Sequence, residues 1–182
     1  MKILPAALPE ILLVEPRAFE DARGAFVETW HAGRYGAEVT PLSFVQDNVS
    51  VSRRGVVRGL HFQYPRAQGK LVGVLAGAAF DVAVDVRCGS PTFGRWVAEE
   101  LSDRNRRQLW IPAGFAHGFL ALEDDTHVLY KTTDYYARDL EGRILWCDAS
   151  IGIQWPLTDG MQPLLSPKDA AADGLAALVT VA

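Results

Sequence analysis

Nine short runs rich in β-branched and aromatic residues, at 24–30, 43–50, 55–63, 70–75, 78–87, 94–101, 106–111, 117–122 and 126–136, follow one another along the chain. Between them stand turn formers: Ala76-Gly77, Gly89-Ser90-Pro91, Ser102-Asp103 and Glu123-Asp124-Asp125. Glycine permits positive φ, proline fixes φ, and serine and aspartate bond nearby backbone, so each cluster supports a tight reversal. No long amphipathic stretch separates consecutive runs, which excludes a parallel doubly wound sheet. The pattern predicts an all-β jelly-roll barrel with short peripheral helices, one at 32–37 and one that starts at Ser166-Pro167 and runs to 178.

The 182 residues read as a single domain, 1–182, because no Ser/Gly-rich linker or charge run divides them. With 49 % hydrophobic and 22 % charged residues the composition is globular, and no apolar run reaches the roughly 20 residues of a membrane helix. Pro5, Pro9 and Glu10 break up the apolar N-terminal stretch and no small-residue cleavage site follows, so the cytoplasm is the expected compartment. Cys88 and Cys147 lack a second cysteine at metal-ligand spacing and are expected to be buried, reduced thiols. A net charge of −4 argues against a nucleic-acid surface, yet leaves room for an anionic small molecule held by local cations.

Chemistry concentrates in Arg58-Gly59-Leu60-His61-Phe62-Gln63, in Gln68-Gly69-Lys70, and in Pro112-Ala113-Gly114-Phe115-Ala116-His117. A neutral imidazole accepts a proton near neutral pH, and fixed positive charge stabilises an enolate and phosphates, so this set suits proton transfer at carbon beside a carbonyl. Strand parity places Phe80, Val82, Val84 and Val86 on one face and Asp81, Ala83 and Asp85 on the other, a polar face expected to line a barrel mouth. Tyr130 and Tyr136 share parity, which in a regular strand sets them roughly 20 Å apart, at opposite ends of a ligand. Arg58 and His61 would face opposite ways unless Gly59 permits a bulge.

Each residue also has a bland reading. His61, between Leu60 and Phe62, could be a core histidine; Arg58 and Lys70 could be surface charges. Ser166-Pro167-Lys168-Asp169 reads as an N-cap, a proline at N1 and a capping-box acid, which explains Asp169 without catalysis. Cupins, small β-barrels that often bind a metal through His-x-His, offer a third reading, but Gln63 stands where the second histidine would be. His61 and His117 alone are too few ligands, so no metal is expected.

Eight segments in order resemble the dTDP-4-dehydrorhamnose 3,5-epimerase family. They are Phe44-Val-Gln-Asp-Asn48, Arg58-Gly-Leu-His-Phe-Gln63, Gln68-Gly-Lys-Leu-Val72, Phe80-Asp-Val-Ala-Val-Asp-Val-Arg87, Gly89-Ser-Pro-Thr-Phe-Gly94, Trp110 through Phe119, Tyr130-Lys-Thr-Thr-Asp-Tyr-Tyr136 and Gly152-Ile-Gln-Trp-Pro156. The resemblance implies a cupin-type jelly roll that works as a homodimer, without metal or organic cofactor, on a dTDP-4-keto-6-deoxy sugar, inverting C3′ and C5′. By motif match His61 is the proton acceptor, Tyr130 the donor from the opposite face, Lys70 the enolate stabiliser, and Asp169 the group that orients His61. It also implies nucleotide and diphosphate contacts at Arg23, Glu28, Gln46, Asp47, Asn48, Arg58, His117, Glu141 and Lys168, with Tyr136 stacking on thymine. Arg23 and Glu28 would come from an N-terminal segment exchanged with the partner chain.

Three rival readings stay open on residues alone: epimerisation at only C3′ or C5′, a metal-dependent cupin enzyme, and a silent sugar-nucleotide binding module. Retention of His61 with Tyr130 argues against the last. Gly73, where many family members carry arginine, lies near Lys70 and is expected to bear on the pocket.

Overall fold

The computed structural model describes residues 1–158 and 160–180. Its strands are β1 (Lys2–Pro5), β2 (Leu12–Glu15), β3 (Ala18–Asp21), β4 (Gly24–Val27), β5 (Gln46–Ser52), β6 (Val57–Gln63), β7 (Lys70–Ala76), β8 (Ala78–Asp85), β9 (Trp96–Ser102), β10 (Gln108–Ile111), β11 (Phe115–Ala121), β12 (Thr126–Thr132) and β13 (Glu141–Arg143). Two short helices, α1 (Ala32–Glu38) and α2 (Pro167–Ala170), sit outside them. A six-stranded sheet, in the order β1-β2-β10-β7-β12-β5, faces a five-stranded one, β13-β6-β11-β8-β9; β3 and β4 form a separate hairpin. The jelly roll is therefore two opposed sheets, not a ladder closed on itself.

The inner core lies between the sheets. Val72, Val74, Leu109 and Val128 from the first meet Ala79, Ala83, Val97, Phe115 and Phe119 from the second. Outside the five-stranded sheet, Leu60, Val82, Val84 and Ala116 are covered by Ile144, Ile151 and Leu175. Outside the six-stranded sheet, Tyr35 of α1 covers Val14, Leu71 and Trp110, with Trp30 and Phe44 packed alongside. Strand β8 is thus buried on both faces. Its apolar residues face the outer cluster, and the face carrying Asp81, Ala83 and Asp85 turns inward as parity required, but Asp81 and Asp85 are fully buried there instead of lining a barrel mouth.

Several sequence expectations need correction. The run at 126–136 leaves the sheet after Thr132, where Thr133 bonds Gly69 by backbone and side chain, so Tyr130 and Tyr136 do not share one regular strand. Strands β1, β2, β3 and β13 had no counterpart in the nine runs; each has four residues or fewer, too short for a period to register. The C-terminal helix stops at Ala170, where the capping residue Ala171 leaves helical geometry; beyond it Gly174 comes against Asp148, whose Oδ2 accepts the Leu175 N–H at 2.6 Å, and a 3₁₀ turn follows at Leu175–Thr180. Cys88 and Cys147 are free but exposed, not buried. Gly73 has the parity opposite to Lys70 and abuts Gln108 on the outside of its sheet, so it does not face the pocket.

Candidate active site

A cavity of about 470 Å³ opens between the sheets, and most of the motif residues converge on it. The bulge anticipated at Gly59 explains how. Along β11, His117 pairs with His61 and Phe119 with Arg58, so three steps on β6 match two on β11. That extra residue puts Arg58 and His61 on the same cavity wall. Gly59 has φ +119° and comes against Gly118, where a Cβ would lie 2.6 Å from the Gly118 Cα, so both positions require glycine.

His61 Nε2 lies 2.6 Å from Asp169 Oδ1. The cap at α2 forms as the sequence reads, with Ser166 Oγ accepting the Asp169 N–H at 3.1 Å. The Asp169 carboxylate, however, turns to the imidazole. With Nε2–H donated to the carboxylate, Nδ1 is the nitrogen left to accept a proton. His61 remains partly exposed to the cavity, so it is not a sealed core histidine.

The opposite wall comes from the six-stranded sheet. Lys70 and Tyr130 have the parity of Val72 and Val128, which point inward. Lys70 Nζ reaches across to donate to the His61 carbonyl at 3.3 Å. Burial pushes its amine down to about 8, against the opposing pull of Asp81 and Glu141. The Tyr130 hydroxyl hydrogen-bonds Ser50. Burial pushes that phenol up, while the Ser50 bond and the Arg58 charge work the other way. Its ring meets His117 edge-on at 6.0 Å between centroids.

The rim carries polar residues for an anionic ligand. Gln46 and Asn48 share the inward face of β5, linked by a 2.9 Å bond, and Gln46 Oε1 accepts the Tyr136 N–H at 2.9 Å. Arg58 is braced by Ser52 Oγ at 3.1 Å and the Val51 carbonyl at 3.3 Å. Glu141 pairs with Arg143, and Lys168 stands next to Asp169 on α2. Tyr136, half exposed, completes the lining. His117 is buried, its Nε2 2.8 Å from Asp81 Oδ1.

Three expected side chains lie elsewhere. Asp47 sits between Gln46 and Asn48 and by parity faces out, bonded to Lys131 at 2.7 Å. Arg23 lies at the tip of the β3–β4 hairpin, paired with Asp21, and Glu28 pairs with Arg34; neither lines the cavity. Ser50 and Ser52 were missed by sequence reasoning; the signal available was their parity with Asn48, which pairs with Tyr130 across the sheet.

Gln63, in the place of a cupin metal ligand, works as a staple. Its Nε2 donates to the Arg66 and Tyr135 carbonyls at 2.7 and 3.2 Å, and its Oε1 accepts the Ala137 N–H at 2.8 Å. Among the described residues no group of three or more His, Cys, Asp or Glu could hold a metal ion. No helix among them is long and apolar enough to cross a membrane.

Comparison with known proteins agrees with this layout. A dTDP-4-dehydrorhamnose 3,5-epimerase of Pseudomonas aeruginosa is 54 % identical over 170 residues, covering 93 % of each chain. One of Neisseria gonorrhoeae is 53 % identical over 171 residues, 94 % of this chain, which spans 52 % of that relative's length. The crystal structure of a Legionella pneumophila dTDP-6-deoxy-D-glucose-3,5-epimerase in complex with dTDP-4-keto-L-rhamnose superposes with a TM-score of 0.93 at 50 % identity, over 97 % of this chain and 96 % of that one. The family model described as dTDP-4-dehydrorhamnose 3,5-epimerase matches residues 5–177, from β1 to the C-terminal 3₁₀ turn, and so takes in both walls of the cavity. With the sheets, the cavity and the sequence match in register, the chain belongs to the dTDP-4-dehydrorhamnose 3,5-epimerase family.

Proposed function

We propose that the cavity converts dTDP-4-dehydro-6-deoxy-D-glucose to dTDP-4-dehydro-L-rhamnose by inverting C3′ and C5′. The observation that carries this reading is the placement of His61 on one sheet and Tyr130 on the other, across one cavity, with Lys70 reaching from the Tyr130 sheet to the His61 carbonyl. Both carbons flank the C4′ ketone. His61 takes a proton from one, the C–H electron pair moves into the carbonyl, and the resulting enolate oxygen is met by the Lys70 ammonium. Tyr130 then gives its phenolic proton to the opposite face of that carbon. The phenolate, held by Ser50, regains a proton from solvent and the imidazolium loses one. The same cycle at the second carbon completes the reaction, because a single C4′ oxygen carries the charge in both.

Arg58, Lys168, His117, Gln46, Asn48 and Glu141 serve the diphosphate and nucleoside, and Tyr136 stacks on thymine. The pairing of Arg58, Lys168 and Lys70 in one acidic chain concentrates positive charge where the phosphates go. The working unit is a homodimer in which the β3–β4 hairpin brings Arg23 and Glu28 to the neighbouring cavity. Support comes from the hairpin's exposed Phe19 and Phe26, 50 % and 71 % accessible, which a partner would cover. Unpaired exposed cysteines suit a reducing compartment, the cytoplasm.

The test is incubation with dTDP-4-dehydro-6-deoxy-D-glucose in heavy water. NMR should find deuterium and inverted configuration at both C3′ and C5′. Label at one carbon only would make the protein a mono-epimerase, and label at neither would remove the reading. Light scattering at assay concentration should find two chains; a fully active monomer would remove the hairpin's role.

A further inference from the structure

The reaction as described leaves one buried charge without a task. Asp81 has no solvent exposure and shares the inward face of β8 with Ala79 and Ala83. Oδ1 holds His117, but Oδ2 is the buried side-chain atom that finds no hydrogen-bond partner among the described residues. A half-satisfied carboxylate in a protein interior is costly, and a neutral side chain would avoid that cost. What distinguishes Asp81 here is a charge with one oxygen left uncommitted.

The neighbourhood says which group that charge serves. Phe119, the register partner of Asp81, packs 6.5 Å from the Tyr130 ring, and His117, bonded to Asp81, packs 6.0 Å from it. His117 in turn is the register partner of His61, whose carbonyl accepts from Lys70. Asp81 is thus linked to the amine through the neighbouring strands β11 and β6. The other carboxylates facing Lys70 are already matched, and the remaining charges around it are cations. From β13, Glu141 is matched by Arg143; from α2, Asp169 is bonded to His61, and Lys168 lies beside it. From β6, Arg58 is turned to Ser52 and Val51; from β12, the Tyr130 hydroxyl is bonded to Ser50. Asp81 is bonded to the His117 imidazole of β11, and its charge bears on the Tyr130 phenol as well as on the Lys70 amine.

We propose that Asp81 is a positioning residue whose charge, fixed by His117 and acting across the barrel interior, keeps Lys70 an ammonium at the pH where the enolate forms. The direction agrees with the pull Asp81 exerts on Lys70 against burial. Removing the charge leaves burial less opposed, so Lys70 would lose its proton at lower pH. This inference rests on the epimerase reading for its consequence in turnover, but not for the link between the two residues.

The experiment reads both separately. Lys70 is titrated by NMR in substrate-free protein labelled at lysine Cε, with its signal assigned from Lys70→Gln. In Asp81→Asn, which retains an acceptor for His117, the Lys70 titration should move down by about one pH unit. The alkaline limb of kcat/KM should move with it, and the ratio of variant to wild-type activity should recover toward one as the pH is lowered, while KM at low pH stays near wild type. A merely structural Asp81 would lower activity by one factor at every pH. If Asp81→Asn does not fold, Asp81→Ser is read in the same way with the same expected shift. An unmoved Lys70 titration overturns the proposal; a moved titration without epimerase activity in wild type overturns the function and leaves the link standing.

Discussion

Two histidine–carboxylate pairs face one cavity, and they are built differently. His61 meets Asp169 from α2, 108 residues away, and its side chain is 30 % exposed. His117 meets Asp81 from the adjacent strand of the same sheet, and its side chain is 5 % exposed. A general base must touch a carbon acid, so exposure toward the cavity is required of it, and an external carboxylate can orient the ring without closing access. The second pair is sealed between β8 and β11, where it can fix a donor and a charge but has little freedom to shuttle protons. The difference teaches that the same side-chain types divide into a moving proton site and a fixed electrostatic one according to where their carboxylate comes from.

Substituting each histidine is the severest way to break that division. His61→Asn should reduce both inversion and deuterium exchange on the order of a thousandfold, since no enolate forms. His117→Asn should act mainly on KM, by about tenfold, with exchange and inversion still coupled. Equal collapse of exchange in both variants would erase the distinction. Tyr130→Phe comes next in size. It leaves the base and Lys70 in place, so exchange at C3′ or C5′ should continue with retention while inversion falls about a hundredfold, read from the same NMR spectra. Inversion at the wild-type rate would assign the acid role elsewhere in the cavity.

How much of this was legible in the sequence follows the range of each signal. Part of the inner wall could be read, because period-2 alternation survives in β8, and the need for a bulge followed from the three-residue spacing of Arg58 and His61; β7 and β11 are apolar or small nearly throughout and show no such period. The four-residue strands β1 and β2 could not, although β2 pairs with β10 inside the larger sheet, because Pro5, Pro9 and Pro16 obscure any period. Read locally, the Asp169 carboxylate was explained as a cap acid, and only the family resemblance tied it to His61. Local sequence shows the backbone partner, Ser166, but not a histidine that reaches it from another element. Motif contiguity misled at Asp47, where adjacent residues in a strand point to opposite sides.

A third carboxylate supplies the control for the comparison and the smallest expected effect. Asp85 lies on the same inward face of β8 as Asp81 and is equally buried. Unlike Asp81 it is saturated: it accepts from Arg87 N, Nε and Nη2 at 3.0, 2.9 and 2.7 Å and from the Ser90 and Thr92 hydroxyls at 2.6 Å each. Burial alone would raise its pKa, but the hydrogen bonds from Arg87, Ser90 and Thr92 together outweigh it and hold the carboxyl well below the usual range. A depressed folded-state pKa gives stability that is present above the unfolded value of about 3.9 and lost as the pH falls below it. Asp85→Asn should therefore cost about 2 kcal/mol at pH 7, a Tm loss of about 6 °C, since Arg87 still has Glu10 as a partner. The deficit should narrow as the pH drops below about 4. Asp81→Asn, which relieves a half-satisfied carboxylate, should leave Tm nearly unchanged. Thermal melts of the two variants across that range decide it: equal losses would mean that both carboxylates serve the fold, and a loss confined to Asp85 leaves the charge of Asp81 to the cavity.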